Sequence, residues 1–202
     1  MLKTFRKSLC AGLLISVGGC AYLSCESKPV GAVLFSTALL CICFLDYYLF
    51  TGKVGYLTES HTKSDFLHLL VGLAGNLLCA FAVGVLMRAL LPQAAVKAED
   101  LFRQKLSQTW YATFGLGVFC GMMVYLAGEI YRRNKTPLGV LFCIPVFVLC
   151  GFEHSVADLF YCGISGTFCP EAVPFLLLVI EGNTVGGLLL PLLAPGTGEK
   201  TS

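Results

Sequence analysis

Long apolar runs separated by short polar segments dominate this chain. The runs extend approximately from Ser8 to Leu23, Val30 to Phe50, Phe66 to Leu91, Trp110 to Ile130, Leu138 to Cys162 and Val173 to Leu193, and the segments between them carry nearly all the Lys, Arg and Glu. A helix needs about 20 mostly apolar residues to cross a bilayer. The pattern therefore predicts six transmembrane helices with both chain ends on one side. Of the 202 residues, 56% are hydrophobic and 13% charged, which leaves no room for a soluble catalytic or nucleic-acid-binding domain. The whole chain, 1–202, reads as a single membrane domain.

Charge informs orientation. With the N-terminus inside, that side collects Lys3, Arg6, Lys7, Lys53, Lys63, Arg132, Arg133, Lys135 and Lys200, against Lys28, Arg88, Lys97, Arg103 and Lys105 outside. This excess predicts cytoplasmic termini in a multi-pass protein of the plasma (inner) membrane. The first span has a second reading: its basic start, short apolar core and Val17-Gly18-Gly19-Cys20 also suit a cleaved lipoprotein signal, which would leave five helices.

Internal symmetry favours keeping the first span. Gly12 in Ala11-Gly12-Leu13-Leu14 pairs with Gly117 in Leu116-Gly117-Val118-Phe119, and Leu73-Ala74-Gly75-Asn76 resembles Ile180-Glu181-Gly182-Asn183. Three spans followed by three similar spans must run in opposite directions, an inverted repeat of 1–91 and 105–194 joined by a loop at 92–104. Each copy has an interruption: Leu49-Phe50-Thr51-Gly52 ends span two, and Gly151-Phe152-Glu153-His154 breaks span five. Broken backbone at membrane depth must line an enclosed or watery path, so the two breaks predict a transport site.

Glu153, His154 and Asp158 lie within six residues of an otherwise apolar span, where each ionised group costs about 2.5 to 3.5 kcal/mol even on an insertion scale. Glu153 and Asp158 suit a structural hydrogen-bond cluster stapling helices. His154 suits the path itself, because imidazole donates, accepts and changes charge near neutral pH. Asn76 and Asn183, each following a glycine, read as interhelical hydrogen-bonding contacts. Asp46 stands near the first break without an assigned partner.

Eleven cysteines show no zinc or CxxC spacing, and eight of them sit inside apolar runs. Cys25, Cys162 and Cys169 fall near loop ends on one side, where a Cys162–Cys169 disulfide is conceivable in an oxidising compartment. No HExxH, Ser/His/Asp set or metal cluster is present, so an intramembrane enzyme is disfavoured and no cofactor is expected. A channel for a small neutral solute such as ammonia or urea, and a non-transporting structural or sensory membrane protein, stay open on these residues.

The segments Leu49-Phe50-Thr51-Gly52, Gly75-Asn76, Gly151-Phe152-Glu153-His154-Ser155-Val156-Ala157-Asp158 and Gly182-Asn183-Thr184-Val185-Gly186-Gly187 resemble, in order and position, the signature segments of the formate/nitrite transporter family. The resemblance implies an all-α, aquaporin-like protomer in a homopentamer, each protomer with its own pore for small monovalent anions or their conjugate acids, such as formate, nitrite or hydrosulfide. It implies His154 as the central histidine, Thr51 as its approaching threonine, and Phe35 and Phe147 at the outer constriction. Leu39, Leu49, Phe50 and Val124 fall at the inner one, Lys105 matches an anion-attracting vestibule lysine, and Glu153 matches the buried glutamate beside the histidine. Gly121 stands where the family commonly has an asparagine facing the histidine, so a roomier pore centre is expected. Tyr48 replaces an acidic residue, with Asp46 two positions earlier, and Asp158 replaces a usual asparagine. With only about eight residues before span one, an N-terminal gating helix is not expected.

Overall fold

The computed structural model describes residues 1–194, and Lys200, counted above among the basic residues, lies outside them. In chain order the helices are α1 (Leu2–Ser24), α2 (Lys28–Phe44), α3 (Phe50–Lys53), α4 (Lys63–Leu90), α5 (Pro92–Leu106), α6 (Trp110–Asn134), α7 (Leu138–Leu149), α8 (Ser155–Ser165) and α9 (Ala172–Leu193), with a 3-10 turn at Val54–Thr58 continuing α3. The described residues are all-helical, without strands. Four helices, α1, α4, α6 and α9, are long and apolar enough to cross a membrane, and α2 and α7 are shorter apolar helices. Phe44, Phe66, Leu78, Trp110, Phe142 and Leu193 are exposed around them, an outward apolar surface that water would solvate poorly.

Three boundaries differ from the expectation. The first helix begins at Leu2, so the segment before Ser8 is its first turn and a half. The break in the second run opens at Leu45, not at Leu49: α2 stops at Phe44, Asp46 adopts φ +50°, and Phe50 already starts the next helix. The segment 92–104 is helix rather than loop. Pro92 supplies the first-turn proline, which needs no N–H partner there, and the buried face Ala94, Ala98, Phe102 and Lys105 recurs at helical spacing. Phe102 meets Phe175 of α9 edge-on, ring centroids 5.9 Å apart, which holds α5 down as a cap over the bundle.

Packing pairs α6 with α9, α4 with α8, and α1 with α4 and α2, while α7 sits against α2 and α6. Small residues permit these approaches. At the α4–α8 crossing Gly84 and Gly163 face each other's backbone, and a β-carbon on Gly163 would stand 2.7 Å from the Phe81 carbonyl oxygen. Close backbone approach of this kind substitutes for the hydrophobic drive that helices lack inside lipid. Thr62 caps α4 by a reciprocal pair of hydrogen bonds with Asp65, satisfying the free N–H groups of the first turn. All eleven cysteines are free thiols, so the Cys162–Cys169 bridge is not formed; Cys162 Sγ instead donates to the Thr167 carbonyl.

Candidate functional site

Each broken helix exposes backbone groups that nothing in its own segment can pair, and one asparagine serves each break. At the first, Asn76 Oδ1 accepts the Phe50 N–H at 2.8 Å, while its Nδ2 donates to the Ser8 carbonyl at 2.8 Å and the Tyr48 carbonyl at 2.9 Å. At the second, Asn183 Oδ1 accepts the Ser155 N–H at 2.9 Å, and its Nδ2 donates to the Gly117 carbonyl at 2.9 Å and the Glu153 carbonyl at 2.8 Å. Both amides are fully buried. Backbone completes the match: Tyr48 N–H reaches the Lys7 carbonyl and Glu153 N–H the Leu116 carbonyl, each at 3.3 Å.

This correspondence revises the sequence pairing of Gly12 with Gly117. The structural counterpart of Gly117 is Ser8, since both carbonyls receive an asparagine amide, and the counterpart of Gly12 is Gly121. A β-carbon on Gly12 would stand 2.7 Å from the Asn76 carbonyl oxygen, and one on Gly121 would overlap the Asn183 carbonyl oxygen. Gly121 therefore faces the α9 backbone rather than His154, and its missing side chain does not enlarge the space around the imidazole.

Each break contains one residue of positive φ, Asp46 at +50° and Gly151 at +69°. Asp46 gains partners that the sequence did not reveal: Lys7 Nζ at 2.5 Å and Lys53 Nζ at 3.5 Å.

His154 is the N-cap of α8. Its Nδ1 accepts the Ala157 N–H at 3.1 Å, and its Nε2 lies 3.0 Å from Thr51 Oγ1 in α3. Because Nδ1 is occupied as an acceptor, the ring proton belongs to Nε2, which donates to the threonine hydroxyl. A second proton on Nδ1 would face the Ala157 N–H and the positive end of α8, so the fold holds a neutral imidazole. Both residues are buried, Thr51 completely.

Two cavities lie near this pair, one lined by His154 and the other by Leu49 and Gly52, which flank the Phe50–Thr51 step. On the α5 side a small cavity of about 60 Å³ is lined by Phe35, Phe147, His154, Lys105, Asp158 and Tyr161 among others. Phe35 and Phe147 form an edge-on pair with centroids 5.9 Å apart, and Phe147 lies 6.0 Å from the His154 ring. The far cavity, about 360 Å³, is bounded at its inner end by Leu39, Leu49, Gly52 and Val124, and at its mouth by Asp46, Lys53, Arg132 and Lys135. Phe50 departs from its expected place: it packs with Val54 and Leu69 and lines neither cavity. Arg132 at the far mouth stacks on Tyr56, 4.8 Å from its centroid, and bonds Glu59 and Glu129.

Lys105 reaches the α5-side cavity, yet its ammonium is already committed. It pairs closely with Glu153 Oε2 and lies 3.1 Å from Asp158 Oδ1. Burial alone would lower its pKa, but the two carboxyls outweigh that and hold it above the ordinary lysine value. Gln108, which the sequence did not single out, donates to Glu153 Oε1 at 2.8 Å and accepts from Thr113. Lys105, expected as an anion-attracting vestibule lysine, thus lines the cavity with its charge paired to two carboxyls. The described residues contain no cluster of His, Cys, Asp and Glu able to hold a metal ion.

The family model for formate/nitrite transporters matches residues 1–195. The chain belongs to the formate/nitrite transporter family. It is therefore a membrane-embedded member of a transport family rather than of an enzyme family. It is similar to the uncharacterized transporter YwcJ of Bacillus subtilis, 30% identical over 86% of this chain and 70% of that protein. It is also similar to the formate channels FocA of Haemophilus influenzae and Escherichia coli K12, each 26% identical, over 78% and 79% of this chain. The matches span 64% and 65% of those two proteins, so this chain covers just under two thirds of their length. Among solved structures, a pentameric formate channel with formate bound superposes with a TM-score of 0.79 at 23% identity, covering 92% of both chains. An FNT family ion channel gives 0.83 at 21% identity, covering 93% of this chain and 86% of the other. Both likenesses concern the fold.

Proposed function

We propose that this protein is a transmembrane channel for small monovalent anions of the formate, nitrite or hydrosulfide class, which cross as, or together with, their protonated acids. The observation that carries this reading is the Thr51–His154 hydrogen bond, which joins the starts of the two half-helices, with one cavity lined by His154 and another by Leu49 and Gly52 beside Thr51. In this reading, α2 with α3 and its 3-10 continuation, and α7 with α8, each make one interrupted crossing. With the four long helices they give six, arranged as an inverted repeat of 1–91 and 105–194. The matched Asn76 and Asn183 hydrogen bonds support that symmetry. The basic residues at the far mouth favour cytoplasmic termini in an inner membrane. The formate-bound pentameric relative supports a homopentamer and formate as a substrate.

A bare anion leaving water for the space between Phe35–Phe147 and Leu39–Leu49–Val124 loses far more hydration energy than apolar contacts return. Falling dielectric raises the substrate's own affinity for a proton, and the neutral acid then passes. His154 Nε2–H and the Thr51 hydroxyl are the polar groups that orient it between the collars. The neutral tautomer favours this orienting role over direct proton donation, because an imidazole giving up its Nε2 proton would become an imidazolate. Lys105, balanced by its carboxyl partners, orders the entrance more than it attracts ions.

The test is flux through purified protein in proteoliposomes under an imposed pH gradient, comparing formate, nitrite and hydrosulfide with urea and ammonia. Anion flux that rises with proton supply supports the reading. Passage of urea or ammonia alone would favour the neutral-solute channel, and passage of none a structural or sensory role.

A further inference from the structure

We propose that Glu153 and Asp158 share one exchangeable proton, carried by Asp158, and that Asp158 gives it to a weak-acid anion that has entered the α5-side cavity. This rests on the transport reading above and names the group that supplies the proton.

The argument begins with a count of charges. Lys105, Glu153 and Asp158 form one contact cluster with side chains 11%, 0% and 1% exposed. Two carboxylates against one ammonium leave an excess negative charge in a site with almost no water, which is far more costly than retaining one proton. The oxygens decide where that proton rests. Both Glu153 oxygens receive donors, Lys105 on Oε2 and Gln108 on Oε1, so neither is left bare for a proton. Asp158 Oδ1 faces Lys105, whereas the buried Oδ2 has no hydrogen-bond partner. A carboxylate oxygen left bare is a poor place for charge and a good place for a proton.

Asp158 also lines the cavity that His154 and the Phe35–Phe147 pair close. About 60 Å³ suits a small ion or two waters, not an organic solute of drug size. Oδ2 has no hydrogen-bond partner and almost no accessible surface, so an O–H there reaches an anion when the carboxyl turns toward the cavity that Asp158 lines. In the transfer the Oδ2–H bond breaks and an O–H bond forms on the anion, giving the neutral acid and the Asp158 carboxylate. Water entering from the α5 side returns the proton from hydronium, which restores the neutral cluster.

The groups facing Asp158 leave this assignment intact. Lys105 comes from α5, Cys120 from α6, and Glu153, His154 and Tyr161 from its own segment, with Tyr22 of α1 behind Tyr161. The histidine carries its proton on Nε2 toward Thr51, and Asp158 is the carboxyl that lines the cavity. Raising the pH on the α5 side empties Asp158, so the cluster becomes negative and disfavours anion entry as well as protonation.

The experiment pairs formate uptake in proteoliposomes with difference infrared spectroscopy of the intact protein. Uptake by the unaltered protein should fall about tenfold per pH unit once Asp158 titrates, following the protonated fraction of a single acid. Asp158→Asn is nearly isosteric, and should flatten that dependence to within about twofold while Asp158→Glu restores it. The unaltered protein should show a protonated-carboxyl carbonyl band that disappears on alkalinisation and is missing from Asp158→Asn. An unchanged pH profile in Asp158→Asn, or a protonated band that survives the substitution, overturns the inference. If the unaltered protein moves no formate at all, the transport reading fails, and the infrared band still decides whether Asp158 holds the proton.

Discussion

The two helix breaks solve the same backbone problem with the same part and then diverge in chemistry. Each turns through one residue of positive φ, each starts a new helix whose first N–H is taken by an asparagine side chain, and each rests on a small residue beneath that asparagine. The side chains set on this shared frame differ at every position that touches a cavity. The first break presents Leu49, with Asp46 held by Lys7 and Lys53 at the mouth; the second presents His154, with Glu153 and Asp158 buried around Lys105. The comparison teaches that architecture and chemistry are separable here. The asparagines and glycines position two half-helices, and the asymmetry between leucine and histidine makes the two ends of the frame chemically unlike.

If the frame is shared, damage to either half should be equally severe. Asn183→Ala leaves the Ser155 N–H and the Glu153 and Gly117 carbonyls without a partner, at about 1 to 3 kcal/mol for each group. Asn76→Ala orphans the corresponding three groups. Both variants should lose most of their folded yield in detergent, measured by thermal unfolding; a large loss in one and none in the other would break the symmetry.

The glycines sharpen the point at smaller cost. Gly121→Ala and Gly12→Ala push a methyl into the asparagine backbone, and each should destabilise by about 1 to 3 kcal/mol, seen as a lowered unfolding temperature. Were Gly121 facing the pore instead, the alanine would change flux and leave stability alone.

At the turns the two halves should part company. Gly151→Ala forces a β-carbon into the left-handed region and should cost about 1 to 2 kcal/mol. Asp46→Gly relieves that same geometry but removes exposed ion pairs worth about 0 to 1 kcal/mol, so its unfolding temperature should hardly move.

Much of this frame was legible from residue types. Gly151 through His154 announced a break because a glycine and two ionisable residues have no reason to interrupt an apolar run otherwise. Asn76 and Asn183 were legible as hydrogen-bonding residues, since an amide inside lipid needs partners. The first break was misplaced because its turning residue is Asp46 rather than glycine, and an aspartate in the left-handed region carries no distinct sequence signal. The helix at 92–106 is marked only by Pro92 and the Ala94–Ala98–Phe102 spacing, an amphipathic pattern too polar to stand out beside membrane-length apolar runs. Phe50 was misassigned since a four-residue helix gives no periodicity from which to judge its facing side. The pairing of Lys105 with two carboxyls arises between residues 48 and 53 positions apart, which only the folded chain brings together.

The most direct test of the central claim, that the path passes the imidazole between the two breaks, is formate flux through His154→Leu under a fixed pH gradient. This substitution gives the second break the side chain of the first. Loss of a hydrogen bond to a charge-developing substrate is worth about 1.5 to 3 kcal/mol, so flux should fall about 10- to 100-fold, and loss of the α8 N-cap should lower stability by about 1 kcal/mol, read as a modest drop in unfolding temperature. Undiminished formate flux with the same pH dependence would show that the substrate does not pass His154.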